Sequence, residues 1–180
     1  APARYRAFVG VGRMVSPVAT DRIFYDDTLA WAEQTGQDGL AAQLREIGPP
    51  PYADPRNYEI ALSHEMDMYP YDHIANSEGV GQMSENLFVG EYSFTEQVRF
   101  LSGTLDTFVI LYPPLQQIDF RESATSFEIP MFFVQGAHEA PGRAQIFDEW
   151  YPQVQAPVKD LLVLGTSGHR PMFEQPDEFV

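Results

Sequence analysis

Apolar positions along this chain follow two different periods, and the sharpest pattern lies toward its carboxyl end. Pro130-Met-Phe-Phe-Val-Gln135 is a short apolar run with a proline at its start and Gly136 at its close. Such a run predicts a strand over 129–135 that is buried on both faces of a parallel sheet. Over 142–154, Ile146, Phe147, Trp150 and Val154 recur at spacings of one, three and four, which gives a helix one apolar face with which to cover a sheet. Lys159–Leu164 reads as a second buried strand and runs into Gly165-Thr-Ser-Gly-His169. The unit is β-α-β. It sets Glu139 just past the carboxyl end of its first strand and His169 just past that of its second, where open α/β sheets place their sites.

Upstream, 5–11 is a β-favouring run closed by Gly12. Arg13, Met14 and Pro17 follow at its carboxyl end. Thr20 is a suitable N-cap for a helix that runs to about Gly36 through Ile23, Phe24, Leu29 and Trp31, and a second helix follows through Leu40, Leu44 and Ile47. Three prolines at 49–51 end it, since proline neither donates a backbone hydrogen bond nor lets its predecessor stay helical. Residues 57–68 read as helical and 69–90 as irregular. Ser93-Phe-Thr-Glu96 is a capping box ahead of a stripe from Phe94, Val98 and Leu101 through Leu105, Phe108, Val109 and Tyr112. Core packing is the plain reading of that stripe, and Pro113-Pro114 is expected to stop the helix.

Composition narrows the possible partners. The chain has 180 residues, 44% of them hydrophobic, with a formal net charge of −15. That is enough apolar material for a sizeable core, and the charge argues against nucleic acid and anionic membrane while favouring a cationic ligand such as a free amine. With no cysteine, disulfides and thiolate metal sites are excluded. No apolar run approaches the roughly 20 residues of a membrane span, and no basic-then-apolar signal segment opens the chain. A cytoplasmic location is the expectation. The acidic cluster of His64, Glu65, Asp67, Asp72, His73 and Glu78 holds ligand-type side chains, but its histidines meet no familiar metal spacing, so a solvated surface is the reading. No cofactor is implied.

The turn Gly136-Ala-His-Glu139, the turn Ser167-Gly-His169 and the tail Pro171-Met-Phe-Glu174-Gln-Pro176 resemble the C-terminal half of an α/β-hydrolase. Phe8-Val-Gly-Val-Gly-Arg-Met14, the helix with Tyr25 and Trp31, and the break at Ile47-Gly-Pro-Pro-Pro51 are similar to the proline iminopeptidase-like branch, a group of serine aminopeptidases. The likeness runs over nearly the whole chain. It implies a partial α/β-hydrolase fold: three parallel strands with a covering helix, divided as a first core strand in 1–20, a mostly helical cap in 21–121 and the rest of the core in 122–180. It also implies catalytic roles, with Glu139 as the orienting acid and His169 as the general base. His138 is a weaker competitor. Cap carboxylates would hold the N-terminal ammonium of a small peptide, amide or ester substrate, and Glu65, Asp67, Glu78 and Glu85 are the candidates.

The family's nucleophile elbow, Gly-x-Ser-x-Gly, occurs nowhere in the chain. Its nearest imitation, Ala75-Asn-Ser77-Glu-Gly79, follows no apolar strand, and Ser77 reads as a loop serine. The resemblance therefore implies a partial hydrolase that is inactive alone and whose first strand has an open edge. Such an edge recruits either the N-terminal half of the hydrolase or a second copy. The contrasting expectation is a non-catalytic binding module in which an acidic cap holds a ligand without turnover.

Overall fold

The computed structural model describes residues 4–69 and 90–180. Three strands form one parallel sheet in the order of the chain: β1 (Phe8–Val11), β2 (Met131–Gly136) and β3 (Lys159–Leu164). Phe8 pairs with Met131, and Phe133 sits between Gly10 and Leu161. All three predicted strands are present, within a few residues of their expected bounds. The architecture is α/β, with a three-stranded parallel sheet and a helix crossing from β2 to β3.

That crossover is α7 (Pro141–Trp150), continued by a 3-10 turn at Tyr151–Gln153. Ile146, Phe147, Trp150 and Val154 are all buried against Met131 and Phe133, as their spacing foretold. The Phe133 ring meets Phe147 and Trp150 edge-on at 5.5 Å each, an arrangement that matches positive ring edges to negative faces. Burial on both faces does not hold. On the opposite side of the sheet Phe132 and Val134 are only half-buried, and Val9 and Leu162 are exposed, Val9 to 60%. The apolar run reported what the strand's residues are, not how many of the sheet's faces are covered.

Between β1 and β2 the described residues are mostly helical. α1 (Pro17–Gln34) starts earlier than expected, with Ser16 as N-cap and Pro17 in the first turn, where proline's missing N–H is no loss. Thr20 therefore lies inside the helix, and its Oγ1 donates to Gly142 O at 3.2 Å. That bond fastens α1 to α7. α2 (Asp38–Ile47) ends at Gly48, whose φ of 72° only glycine adopts freely. The predicted helix at 57–68 divides into α3 (Arg56–Leu62) and α4 (Glu65–Met68). Tyr25, Leu44, Tyr52, Ala61 and Tyr112 form this region's own core.

The capping box holds: Ser93 N and Oγ both donate to Glu96 at the start of α5 (Phe94–Leu115). The stripe beyond it is a correction. Tyr112 is buried, but Phe94 is 78% exposed, and Val98, Leu105 and Val109 are exposed as well. Periodicity identifies an apolar face without naming what covers it. A second correction is that the helix continues through Pro113 and Pro114 to Leu115. The prolines fall in the last turn, where few backbone bonds remain to be lost, and Gln116 anchors the end by bonding both Tyr52 N and Tyr52 O. α6 (Phe120–Ser123) leads toward β2, and α8 (Pro171–Glu174) and α9 (Pro176–Phe179) follow β3. Among the described residues no helix is long and apolar enough to cross a membrane.

Candidate active site

The carboxyl ends of β2 and β3 are held closer together than side chains would allow. A Cβ placed on Gly136 would lie 2.0 Å from Gly168 O and 2.2 Å from Ser167 O, so the two turns meet backbone to backbone. Ala137 N donates to Leu164 O at 2.9 Å and His138 N to Ser167 O at 3.0 Å. β1 closes the third side. Its Gly12 has φ 53°, and a Cβ there would stand 2.7 Å from His169 O.

Between these turns Glu139 and His169 meet. Glu139 Oε2 lies 2.8 Å from His169 Nδ1, and the Glu139 side chain is almost fully buried while the imidazole is about one-third exposed. A carboxylate only accepts, so Nδ1 carries the proton and donates it. In the neutral ring this leaves Nε2 as an acceptor on the side away from Glu139. Glu139 Oε1 accepts from Ala140 N at 3.0 Å and from Arg143 Nε at 2.7 Å. Burial alone would push the Glu139 carboxyl up, but the hydrogen bond and charge of His169, with the Arg143 guanidinium, outweigh it and hold the group below its ordinary value. Arg143 is its mirror. Burial would lower it, and Glu139 and Glu65 together raise it above the usual arginine value.

The segment after His169 folds back and braces the turn that carries it. Glu174 Oε2 accepts from Gly168 N at 2.7 Å, and Gln175 Oε1 accepts from Thr166 N at 2.9 Å and from Ser167 Oγ at 2.8 Å. Burial raises the Glu174 carboxyl, against the pull of the Gly168 and Arg170 N–H groups and of His169. Sequence reasoning placed this tail after the histidine without seeing it as a brace.

Of the four carboxylates expected to hold a substrate ammonium, Glu65 alone among the described residues reaches Arg143 beside Glu139. Its Oε1 accepts from Arg143 Nη2 at 2.5 Å. Asp67 instead faces outward and holds His64 Nδ1 at 2.7 Å, and the His64 ring stacks on Trp31 at 4.5 Å. Glu78 and Glu85, together with Ser77, Asp72 and His73, lie outside the described residues. His138 is exposed.

Arg143 is the residue the sequence reading missed. Its spacing of four from Glu139 is the interval at which opposite charges meet on a helix, yet Glu139 lies just ahead of α7 rather than on it. A second omission is Asp21, fully buried on α1, whose Oδ2 accepts from Tyr112 Oη at 2.6 Å. Burial pushes its carboxyl up to about 6, although Tyr112 and the charge of Arg143 pull the other way.

No family model matches the chain, and no solved structure matches it. It is similar to a Bacillus subtilis (strain 168) protein described as "Probable aminopeptidase YbaC", with 23% identity over 179 residues. The alignment takes in 99% of this chain and 56% of that relative. The chain thus spans a little over half the length of the curated relative it matches. Identity at this level does not by itself assign the chain to a family.

Proposed function

We propose that this chain carries the acid and the base of a serine α/β-hydrolase, most closely of the proline iminopeptidase-like kind, which removes an N-terminal residue from a short peptide or cleaves a related amide or ester. The observation that carries this reading is the 2.8 Å contact between buried Glu139 and half-buried His169 at the ends of adjacent parallel strands. In this arrangement the carboxylate fixes the tautomer and stabilises the imidazolium, while Nε2 takes a proton from a nucleophile and returns it to the leaving group. Similarity to a probable aminopeptidase supports the substrate class. Glu65, beside the acid, is the favoured partner for a substrate ammonium. The division into a core strand, a helical cap and a C-terminal core belongs to the same proposal.

With no Gly-x-Ser-x-Gly in the sequence, the 180-residue chain supplies neither nucleophile nor oxyanion hole. Incubated alone with aminoacyl chromogenic substrates and a fluorophosphonate probe, it is expected to give neither turnover nor labelling. Labelling of Ser77, or turnover lost in Ser77→Ala, overturns the assignment. In a longer chain that carries the elbow, His169→Ala should lower kcat by about 10⁶-fold and Glu139→Gln by about 10⁴-fold, because the acid orients and the base transfers. The far edge of β1 pairs with no strand among the described residues. It is the proposed docking place for the complementary half or a second copy. A strictly monomeric species in light scattering that ignores added N-terminal half refutes that docking.

A further inference from the structure

Glu139 has one oxygen on His169 and the other on Arg143, and Arg143 has a second carboxylate, Glu65, on a different nitrogen. The two acids are far apart in the chain, Glu139 in the turn after β2 and Glu65 at the start of α4. The guanidinium also lies over the Phe24 ring of α1 at 5.1 Å. One planar group is therefore fixed by three separate pieces of the molecule. Its fork is rigid, so a shift of either carboxylate tilts the bond to the other, which a flexible ammonium would not transmit.

We propose that Arg143 is the positioning residue of the Glu139–His169 pair, and that through it the pair depends on Glu65 of the helical insertion. The inference rests on the hydrolase reading for its catalytic meaning, but its physical content is separate: removing Glu65 should loosen a hydrogen bond in which Glu65 takes no part. Without Arg143 Nε, Glu139 Oε1 retains only Ala140 N among the described residues, and the carboxylate can rotate away from the plane in which Oε2 meets Nδ1. The insertion would then set the orientation of the acid as well as covering the site.

The test is proton NMR of the 180-residue chain, following the His169 Nδ1–H resonance, which a buried carboxylate partner shifts downfield and protects from exchange. Glu139→Gln should abolish the resonance. If it persists there, the acid–base reading itself falls. Glu65→Gln and Arg143→Lys are each expected to speed its exchange roughly tenfold, and the double variant by no more than about the same factor, since they break one shared linkage. Arg45→Gln, which removes an exposed ion pair with Glu33, serves as the control and should leave it unchanged. Wild-type protection in both Glu65→Gln and Arg143→Lys, with the Glu139→Gln loss intact, overturns the proposal while sparing the acid–base pair. A purely structural bridge would lower the melting temperature without altering exchange well below it. Should Arg143→Lys fail to fold, Glu65→Gln alone decides, because Glu65 is partly exposed.

Discussion

Glu139 and Asp21 are both withdrawn from water, one at the end of β2 and the other on the face of α1, yet the protein treats them in opposite ways. Glu139 is 7% exposed and has His169, Ala140 N and Arg143 around it, so its charge is more welcome there than in solution. Asp21 is 0% exposed and has one hydroxyl, from Tyr112, while its Oδ1 has no hydrogen-bond partner among the described residues. Burial does not decide the charge state of a carboxyl; the number and kind of donors brought into the burial does. Glu139 is equipped to stay ionised, and Asp21 is poised to take up a proton. Arg143 acts on both, bonded to the first and felt only through space by the second.

Removing Arg143 should therefore break the comparison most severely. Arg143→Met leaves Glu139 and Glu65 without their cation and deepens the isolation of Asp21, and the expected loss is about 3–5 kcal/mol in urea denaturation. A loss below about 1 kcal/mol would mean that the site is far wetter than its burial indicates.

A smaller effect, of opposite sign at the two acids, comes from pH. The folded Asp21 carboxyl titrates at about 6, above the ordinary aspartate value, so its contribution to stability is fully present below that ordinary value and is lost as pH rises through 6. Asp21→Asn should accordingly gain on the wild type across this window, on the order of 2–3 kcal/mol by neutral pH. Glu139 runs the other way. Its folded value is depressed, so its contribution is present above the ordinary glutamate value and is lost as pH falls through the folded one. Melting curves of Asp21→Asn and Glu139→Gln from acid to neutral pH should both depart from wild type toward neutral pH, the first above it and the second below it; departures of the same sign would contradict the contrast.

The smallest change sharpens it. Tyr112→Phe removes the one hydroxyl on Asp21 and should destabilise the chain by about 1–2 kcal/mol above pH 6, and by less below it, where the partner is neutral. An equal loss at both pH values would show that Asp21 is not ionising there.

The strands and the placing of Glu139 and His169 at their ends were legible because those signals are local. An apolar run bounded by proline and glycine marks a strand, and a polar residue just past its end falls on the sheet's functional rim. That much brought Glu139 and His169 to one rim, while a role for the pair came only from the family resemblance. Asp21 and Tyr112 lie 91 positions apart, on helices whose mutual packing no periodicity encodes, and an aspartate early in a helix reads as an ordinary surface residue. The α5 stripe failed for the same reason in reverse: its spacing was correct, and its assumed cover was not.

The wiring of the sheet has a kinetic consequence. β2 meets β3 across about 30 residues of chain, whereas β1 must find β2 across roughly 120, which adds about 1 kcal/mol of closure entropy if the intervening helices are not yet formed. The β2-α7-β3 unit is thus the natural nucleus, and β1, only four residues long and paired along one edge, is the strand that docks last and frays first. Because Gly12 at its end presses on His169, each fraying of β1 would also unseat the imidazole. The opening rate of one short strand would then limit how long Glu139 and His169 stay aligned.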